Sequence, residues 1–73
     1  MKKSIYSKQY KVLTARLKQA RLDSGLNQIQ AAKALGTTQS HISKAESGQR
    51  RLDVIQLKEF ARLYRKDLNY FIS

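Results

Sequence analysis

The sequence contains no cysteine and no proline, and only three of its 73 residues are glycine. The lack of cysteine excludes disulfides, thiolate metal ligands and cysteine nucleophiles, and it suits a reducing compartment such as the cytoplasm. The scarcity of proline and glycine argues against a turn-rich all-β fold. No apolar run approaches the roughly 20 residues of a membrane span, and no apolar segment follows the N-terminal lysines as it would in a signal peptide. We therefore expect a small protein that has no membrane span and no signal peptide.

Acidic residues are also scarce. Five Asp and Glu stand against 15 Lys and Arg, which gives a net charge of +10. The imbalance is strongest over residues 1–22, which hold seven basic side chains and no acidic one. A small domain with this charge typically binds a polyanion, and nucleic acid is the commonest. A basic solvated surface and an anionic membrane surface are the alternatives that charge alone leaves open.

Periodicity and capping residues predict four or five short helices in one domain that spans residues 1–73. Residues 1–6 are predicted to be a flexible basic arm, and the first helix to begin near Ser7. Gly25, Gly36 and Gly48 each follow a helical pattern, where a left-handed residue commonly ends a helix. Helical spacing predicts that the inward residues are Tyr10, Leu13, Leu17 and Ala20 in the first helix, Leu57, Phe60, Ala61 and Tyr64 in the fourth, and Leu68, Phe71 and Ile72 in the fifth.

The second and third helices are predicted over residues 28–35 and 39–47, on either side of a short turn. Asn27 and Gln30 have the spacing of a capping box, as do Asp53 and Gln56 at the start of the fourth helix. The turn over residues 36–38 has the length found in a DNA-binding helix-turn-helix. A pair of helices that merely packs together, with one wet polar face, is the simpler alternative.

The outward face of the third helix carries side chains suited to reading bases. Glutamine can bridge adenine N6 and N7, lysine can donate to guanine O6 and N7, and serine adapts to either base. Because the N-terminal part of a recognition helix enters the major groove, the predicted base-reading residues are Gln39, Ser40, Ser43 and Lys44.

Three stretches together resemble one family: Gly25-Leu26-Asn27-Gln28, Leu35-Gly36-Thr37-Thr38-Gln39-Ser40, and Ile42-Ser43-Lys44-Ala45-Glu46-Ser47-Gly48. They are similar to the "GLTQ", "LG" and "ISxxExG" patterns of the Cro/repressor-like, or XRE-class, helix-turn-helix family. The resemblance extends from about Leu13 to Ile72. It implies an all-α, compact five-helix bundle of the lambda-repressor-like type, with the helix-turn-helix formed by helices 2 and 3. It also implies a sequence-specific DNA-binding regulator that represses or activates transcription and binds a palindromic operator as a dimer. We accordingly expect a cytoplasmic protein whose partner is double-stranded DNA and not a membrane.

Four residues are predicted to hold DNA phosphates. The resemblance gives this role to Gln28 and Thr38, and the positive potential of a helix N-terminus agrees with it at Gln28. Thr38 is equally suited to be the N-cap of the third helix. Arg50 and Arg51 follow that helix on a loop, where arginine is a good phosphate donor. A solvated pair of charges is the alternative for these two.

The resemblance also predicts a structural ion pair between Arg21 and Glu46, which would tie the first helix to the recognition helix. Two unrelated surface charges are the alternative. The sequence departs from the family pattern at Ala31, where the family often has leucine. It departs again at Ile29, where the family is commonly polar.

No pattern in the sequence indicates catalysis. His41 is the only histidine and has no cysteine or clustered carboxylates with which to bind a metal. Its neighbour Ser40 points elsewhere on a helix, so the two do not form a nucleophile and base. We therefore expect no enzyme activity, no cofactor and no metal.

Two other functions remain open. A protein-binding module, such as an antitoxin or anti-repressor, would use exposed apolar residues, for which Ile29, Tyr6 and Tyr70 are candidates. An RNA-binding domain would need aromatic residues on its basic face for stacking, and the predicted recognition face has none. The C-terminal helix, with Tyr70, Phe71 and Ile72, is the expected dimer surface, although these residues would serve equally well to close the core.

Overall fold

A computed structural model describes residues 8–72, which form five α-helices and no strand. The helices are α1 (Lys8–Asp23), α2 (Gln28–Leu35), α3 (Gln39–Ser47), α4 (Val54–Tyr64) and α5 (Leu68–Ile72). The predicted all-α class is confirmed. The predicted cap at Ser7 and the predicted basic arm over residues 1–6 lie outside the described residues.

Reciprocal side-chain caps begin α2 and α4, as the sequence predicts. Asn27 Oδ1 accepts a hydrogen bond from the Gln30 N–H at 2.7 Å, and Gln30 Oε1 accepts one from the Asn27 N–H at 2.9 Å. Asp53 and Gln56 make the same pair of bonds at 2.8 and 3.1 Å. Each arrangement satisfies N–H groups that a helix start leaves without partners.

Left-handed residues end the three middle helices. Gly36 and Gly48 close α2 and α3 at φ values of 72° and 84°, which glycine adopts without a Cβ clash. Arg65 closes α4 at a φ of 57° and is the one non-glycine residue with positive φ in the described part of the chain. The sequence does not predict this cap, because arginine carries no such preference.

The core lies where α1 crosses α3, α4 and α5, and where α2 packs on α3 and α4. Leu17, Ile42, Phe60 and Phe71 are its largest fully buried side chains. Small side chains occupy the crossings with α2: Ala31 is completely buried and Ala32 almost so. This arrangement fixes α2 and α3 relative to each other, and therefore fixes the outward face of α3.

One predicted core residue is wrong. Ile72 was expected to point inward, but it is 57% exposed, whereas Phe71 is 1% exposed. Neighbouring residues on a helix point about 100° apart, so a five-residue helix that buries Phe71 turns Ile72 outward. Leu68, on the same helix, is partly buried against the core as expected.

Candidate nucleic-acid interface

The third helix, α3, has one buried face and one solvent-exposed face. Ile42 and Ala45 are fully buried. The predicted base-reading side chains on the other face are all exposed, namely Gln39, Ser40, Ser43 and Lys44. That face carries a single positive charge and no negative one. It can therefore approach a polyanion without like-charge repulsion, and it presents amide, hydroxyl and ammonium groups that can form hydrogen bonds.

The N-termini of α2 and α3 are held beside each other. The Gln39 Nε2 donates to the Gln28 Oε1 at 3.2 Å, so the first residue of one helix contacts the first residue of the other. Thr38 is the cap of α3, and its Oγ1 accepts a hydrogen bond from the His41 N–H at 3.2 Å. The Thr38 hydroxyl hydrogen remains available as a donor. Two helix N-termini and this hydroxyl therefore offer donors to an anion at one place.

A buried ion pair fastens α1 to α3. The Arg21 Nε lies 2.7 Å from the Glu46 Oε2, and the two side chains are 8% and 6% exposed. A second Arg21 nitrogen donates to the carbonyl oxygen of Leu26 at 3.0 Å. The hydrogen bonds that Arg21 donates to Glu46, together with the negative charge of Glu46, raise the pKa of Arg21. The two residues of the predicted structural pair are thus in direct contact.

Gln28 extends the hydrogen bonding of this pair to the protein surface. The Gln28 Nε2 donates to the Glu46 Oε1 at 3.2 Å, while the Gln28 Oε1 accepts from Gln39. Four side chains therefore form a chain of hydrogen bonds from the interior of α1 to the first residue of α3. Sequence reasoning predicted the Arg21–Glu46 pair and gave Gln28 and Gln39 separate roles, but it missed that Gln28 connects Gln39 to that pair.

The loop that follows α3 carries both predicted phosphate-binding arginines. Arg50 and Arg51 are exposed. The Arg50 N–H donates to the Lys44 carbonyl at 3.2 Å, which folds the loop back on the end of α3. On its other side, the Tyr10 hydroxyl donates to the Arg50 carbonyl at 3.0 Å. Sequence reasoning missed this last contact, because no local pattern links residues that lie forty positions apart.

His41 lies on α3 and is half-buried against α4. Its ring stacks on Phe60 with the centroids 6.1 Å apart and the planes at 18°. Burial, and next the charge of Arg50, lower the pKa of His41.

Residues 8–72 hold no group of three or more His, Cys, Asp or Glu side chains placed to bind a metal. No helix in this range is long and apolar enough to cross a membrane.

Comparison with known proteins gives one result that bears on this geometry. A helix-turn-helix family model matches residues 17–71, which run from the middle of α1 to α5 and include the whole polar face of α3. No curated protein and no solved structure gives a significant match.

Proposed function

The chain belongs to the Cro/C1-type helix-turn-helix family, and we propose that it reads a palindromic operator by inserting α3 into the major groove. Membership of this family makes it a DNA-binding regulator of the XRE class. Beyond this membership, we propose which residues read the bases, which residues hold the phosphates, and that two copies bind the DNA together.

The observation that carries the proposal is the composition of the exposed face of α3. Gln39 and Ser40 lie at its N-terminal end, which enters the groove furthest in helix-turn-helix domains. Ser43 and Lys44 lie one turn further on. Each of the four can hydrogen-bond to a base edge, and each good bidentate contact discriminates against a wrong base by about 1–3 kcal/mol.

Gln28, Thr38, Arg50 and Arg51 are proposed to hold the sugar-phosphate backbone. Phosphate contacts set the register of a domain on the duplex, whereas base contacts select the sequence. Gln28 and Thr38 would act beside the start of α3, and the two arginines would act beyond its end. The recognition helix would thus be fixed against the backbone on both sides.

A two-copy complex is proposed because one recognition helix covers few base pairs. Helix-turn-helix proteins commonly bind two half-sites whose centres lie about 34–36 Å apart. Of the residues expected at the dimer surface, Phe71 closes the core and is buried. The cationic groups of Arg16 and Lys66 lie over the ring of Tyr70, at 5.2 and 4.7 Å from its centroid. On α5, Ile72 therefore remains as the exposed apolar contact.

A selection from random duplexes at ~150 mM salt tests the proposal. It compares the wild type with a Gln39→Ala, Lys44→Ala variant. The matched control is Gln9→Ala, Lys58→Ala, which removes the same two kinds of exposed side chain from α1 and α4. We expect the wild type and the control to enrich one two-fold symmetric motif, and the α3 variant to lose it while it keeps weak non-specific binding.

Other outcomes would contradict the proposal. Enrichment of the same motif by the α3 variant would show that these residues do not read bases. If the wild type enriches no motif, the positive charge serves only non-specific binding. A protein partner then becomes the leading hypothesis, with Ile29 as its first candidate contact, since that side chain is 55% exposed.

A further inference from the structure

Tyr10 lies on the first turns of α1, outside the residues that the family model matches, and it contacts the loop after the recognition helix. We infer that Tyr10 is a positioning residue that holds the Arg50–Arg51 loop in the conformation in which its arginines bind the phosphodiester backbone of duplex DNA. This inference rests on the proposed function and adds a residue to it that has no DNA contact of its own.

Two contacts place Tyr10 against this loop, and its ring also lies near the residue that ends α3. Its hydroxyl donates to the Arg50 carbonyl at 3.0 Å. The guanidinium carbon of Arg51 lies 5.9 Å from the centroid of its ring, within the range of a cation–π interaction. The same ring faces Gly48: a Cβ built on that glycine would lie 3.9 Å from the Tyr10 Cε2. One side chain of α1 therefore contacts both arginines of the loop and lies close to the end of α3.

The chemistry of phosphate binding explains why such a contact matters. An arginine on an exposed loop has many conformations, and ordering them on binding weakens the complex. The Tyr10 hydrogen bond fixes the backbone at Arg50 before DNA arrives. The Tyr10 ring favours one region of space for the Arg51 guanidinium. Because the loop is also tied to the Lys44 carbonyl, it is held from both α3 and α1.

A DNA phosphate can replace the Tyr10 ring as the partner of the Arg51 guanidinium. Arg51 is exposed, so the attraction between the ring and its guanidinium is modest. A guanidinium binds a phosphate through two parallel hydrogen bonds, which is the stronger interaction. The ring thus keeps the arginine close to the end of α3 without competing with DNA for it.

The experiment measures binding to a random-sequence duplex over a range of salt concentrations, using the full chain. The variants are Tyr10→Phe, which removes only the hydroxyl, and Tyr70→Phe, which makes the same change at the α5 tyrosine. Each is also made in an Arg50→Ala, Arg51→Ala background. The slope of log K against log salt reports phosphate contacts at about 0.9 each, and lower stability of a folded protein does not change it.

We expect Arg50→Ala, Arg51→Ala to reduce the slope by about 1.8, the value for two phosphates. Tyr10→Phe should weaken binding about threefold to tenfold, as the loss of one hydrogen bond does, and should reduce the slope by up to about 0.9. In the background that lacks both arginines, Tyr10→Phe should have no further effect. Tyr70→Phe should match its parent in either background.

Three results would overturn the inference. The first is a Tyr10→Phe variant whose slope and affinity equal those of the wild type. The second is a Tyr10→Phe change that weakens binding as much without the two arginines as with them. An unchanged slope in Arg50→Ala, Arg51→Ala would also overturn it, because the loop would then hold no phosphate. All of these measurements use random DNA, so they decide the role of Tyr10 whether or not the selection above finds a motif.

Discussion

His41 is the residue whose protonation links the stability of the domain to pH near neutrality. Its ring packs on Phe60 and lies near the positive charge of Arg50, and both burial and that charge favour its neutral form. The pKa of His41 is therefore lower in the folded than in the unfolded chain, where it is about 6.5. Over the range between the two values the unfolded chain binds more protons, so the free energy of unfolding rises with pH.

We therefore expect the urea midpoint of the wild type to be lower at pH 5.5 than at pH 7.5. His41→Phe keeps an aromatic ring against Phe60 and should remove most of this difference. The comparison requires only urea unfolding followed by circular dichroism at the two pH values. An equal change in the midpoint of both proteins would assign the pH dependence to other groups.

The packing of one helix on another depends on the pair between Arg21 of α1 and Glu46 of α3. Glu46 also accepts a hydrogen bond from Gln28, so its removal leaves a buried guanidinium and an amide without their common partner. Breaking one side of such a pair costs about 3–5 kcal/mol. A domain of this size has a total stability of only about 4–11 kcal/mol.

Glu46→Ala should therefore lower the free energy of unfolding by about 3–5 kcal/mol. Glu59→Ala, which removes an exposed glutamate of α4, should change it by less than about 0.5 kcal/mol. Urea unfolding provides both values. A loss below about 1 kcal/mol for Glu46→Ala would show that the pair does not hold the two helices together.

The bounds of the helices are the part of the fold that the sequence predicts best. Capping boxes at Asn27 and Asp53, and glycines at 36 and 48, act over three or four residues, so they can be read locally. Arg65 ends α4 without such a signal. Ile72 was misplaced because helical spacing alone does not decide which residue of a very short helix faces the core.

At the scale of the whole molecule, its dimensions bear on how two copies can lie on DNA. The described residues extend over 37 × 23 × 20 Å. Half-site centres lie about 34–36 Å apart on one face of the duplex, so the described parts of two copies can meet when their long dimension follows the DNA. Inserting five base pairs moves one half-site to the opposite face.

We therefore expect the operator found by the selection to bind two copies cooperatively. The same operator with five base pairs inserted between its half-sites should bind two copies independently. A gel-shift titration distinguishes the two, because the complex with one copy should accumulate only on the operator that carries the insertion. Accumulation of that complex to the same extent on both operators would contradict a dimer on DNA.

The sequence alone predicts only those parts of the candidate site that depend on residues near one another in the chain. The polar face of α3 follows from helical spacing within nine residues. The contact of Tyr10 with the Arg50–Arg51 loop, and the position of Gln28 between Glu46 and Gln39, depend on how distant helices pack. No spacing along the chain encodes such distances, so these connections needed the folded structure.

The exposed face of α3 has a consequence for how this protein can change. Ser40, Ser43 and Lys44 point away from the core, whereas Gln39 is bonded to Gln28. If these residues read bases as proposed, we expect mutations at the first three positions to alter the preferred operator with little effect on folding. A substitution at Gln39 would also remove its hydrogen bond to Gln28 and so disturb the packing of α3 beside α2. On this proposal, new regulatory targets are accessible through single substitutions at three positions, whereas changes at the fourth also affect how α3 is held in place.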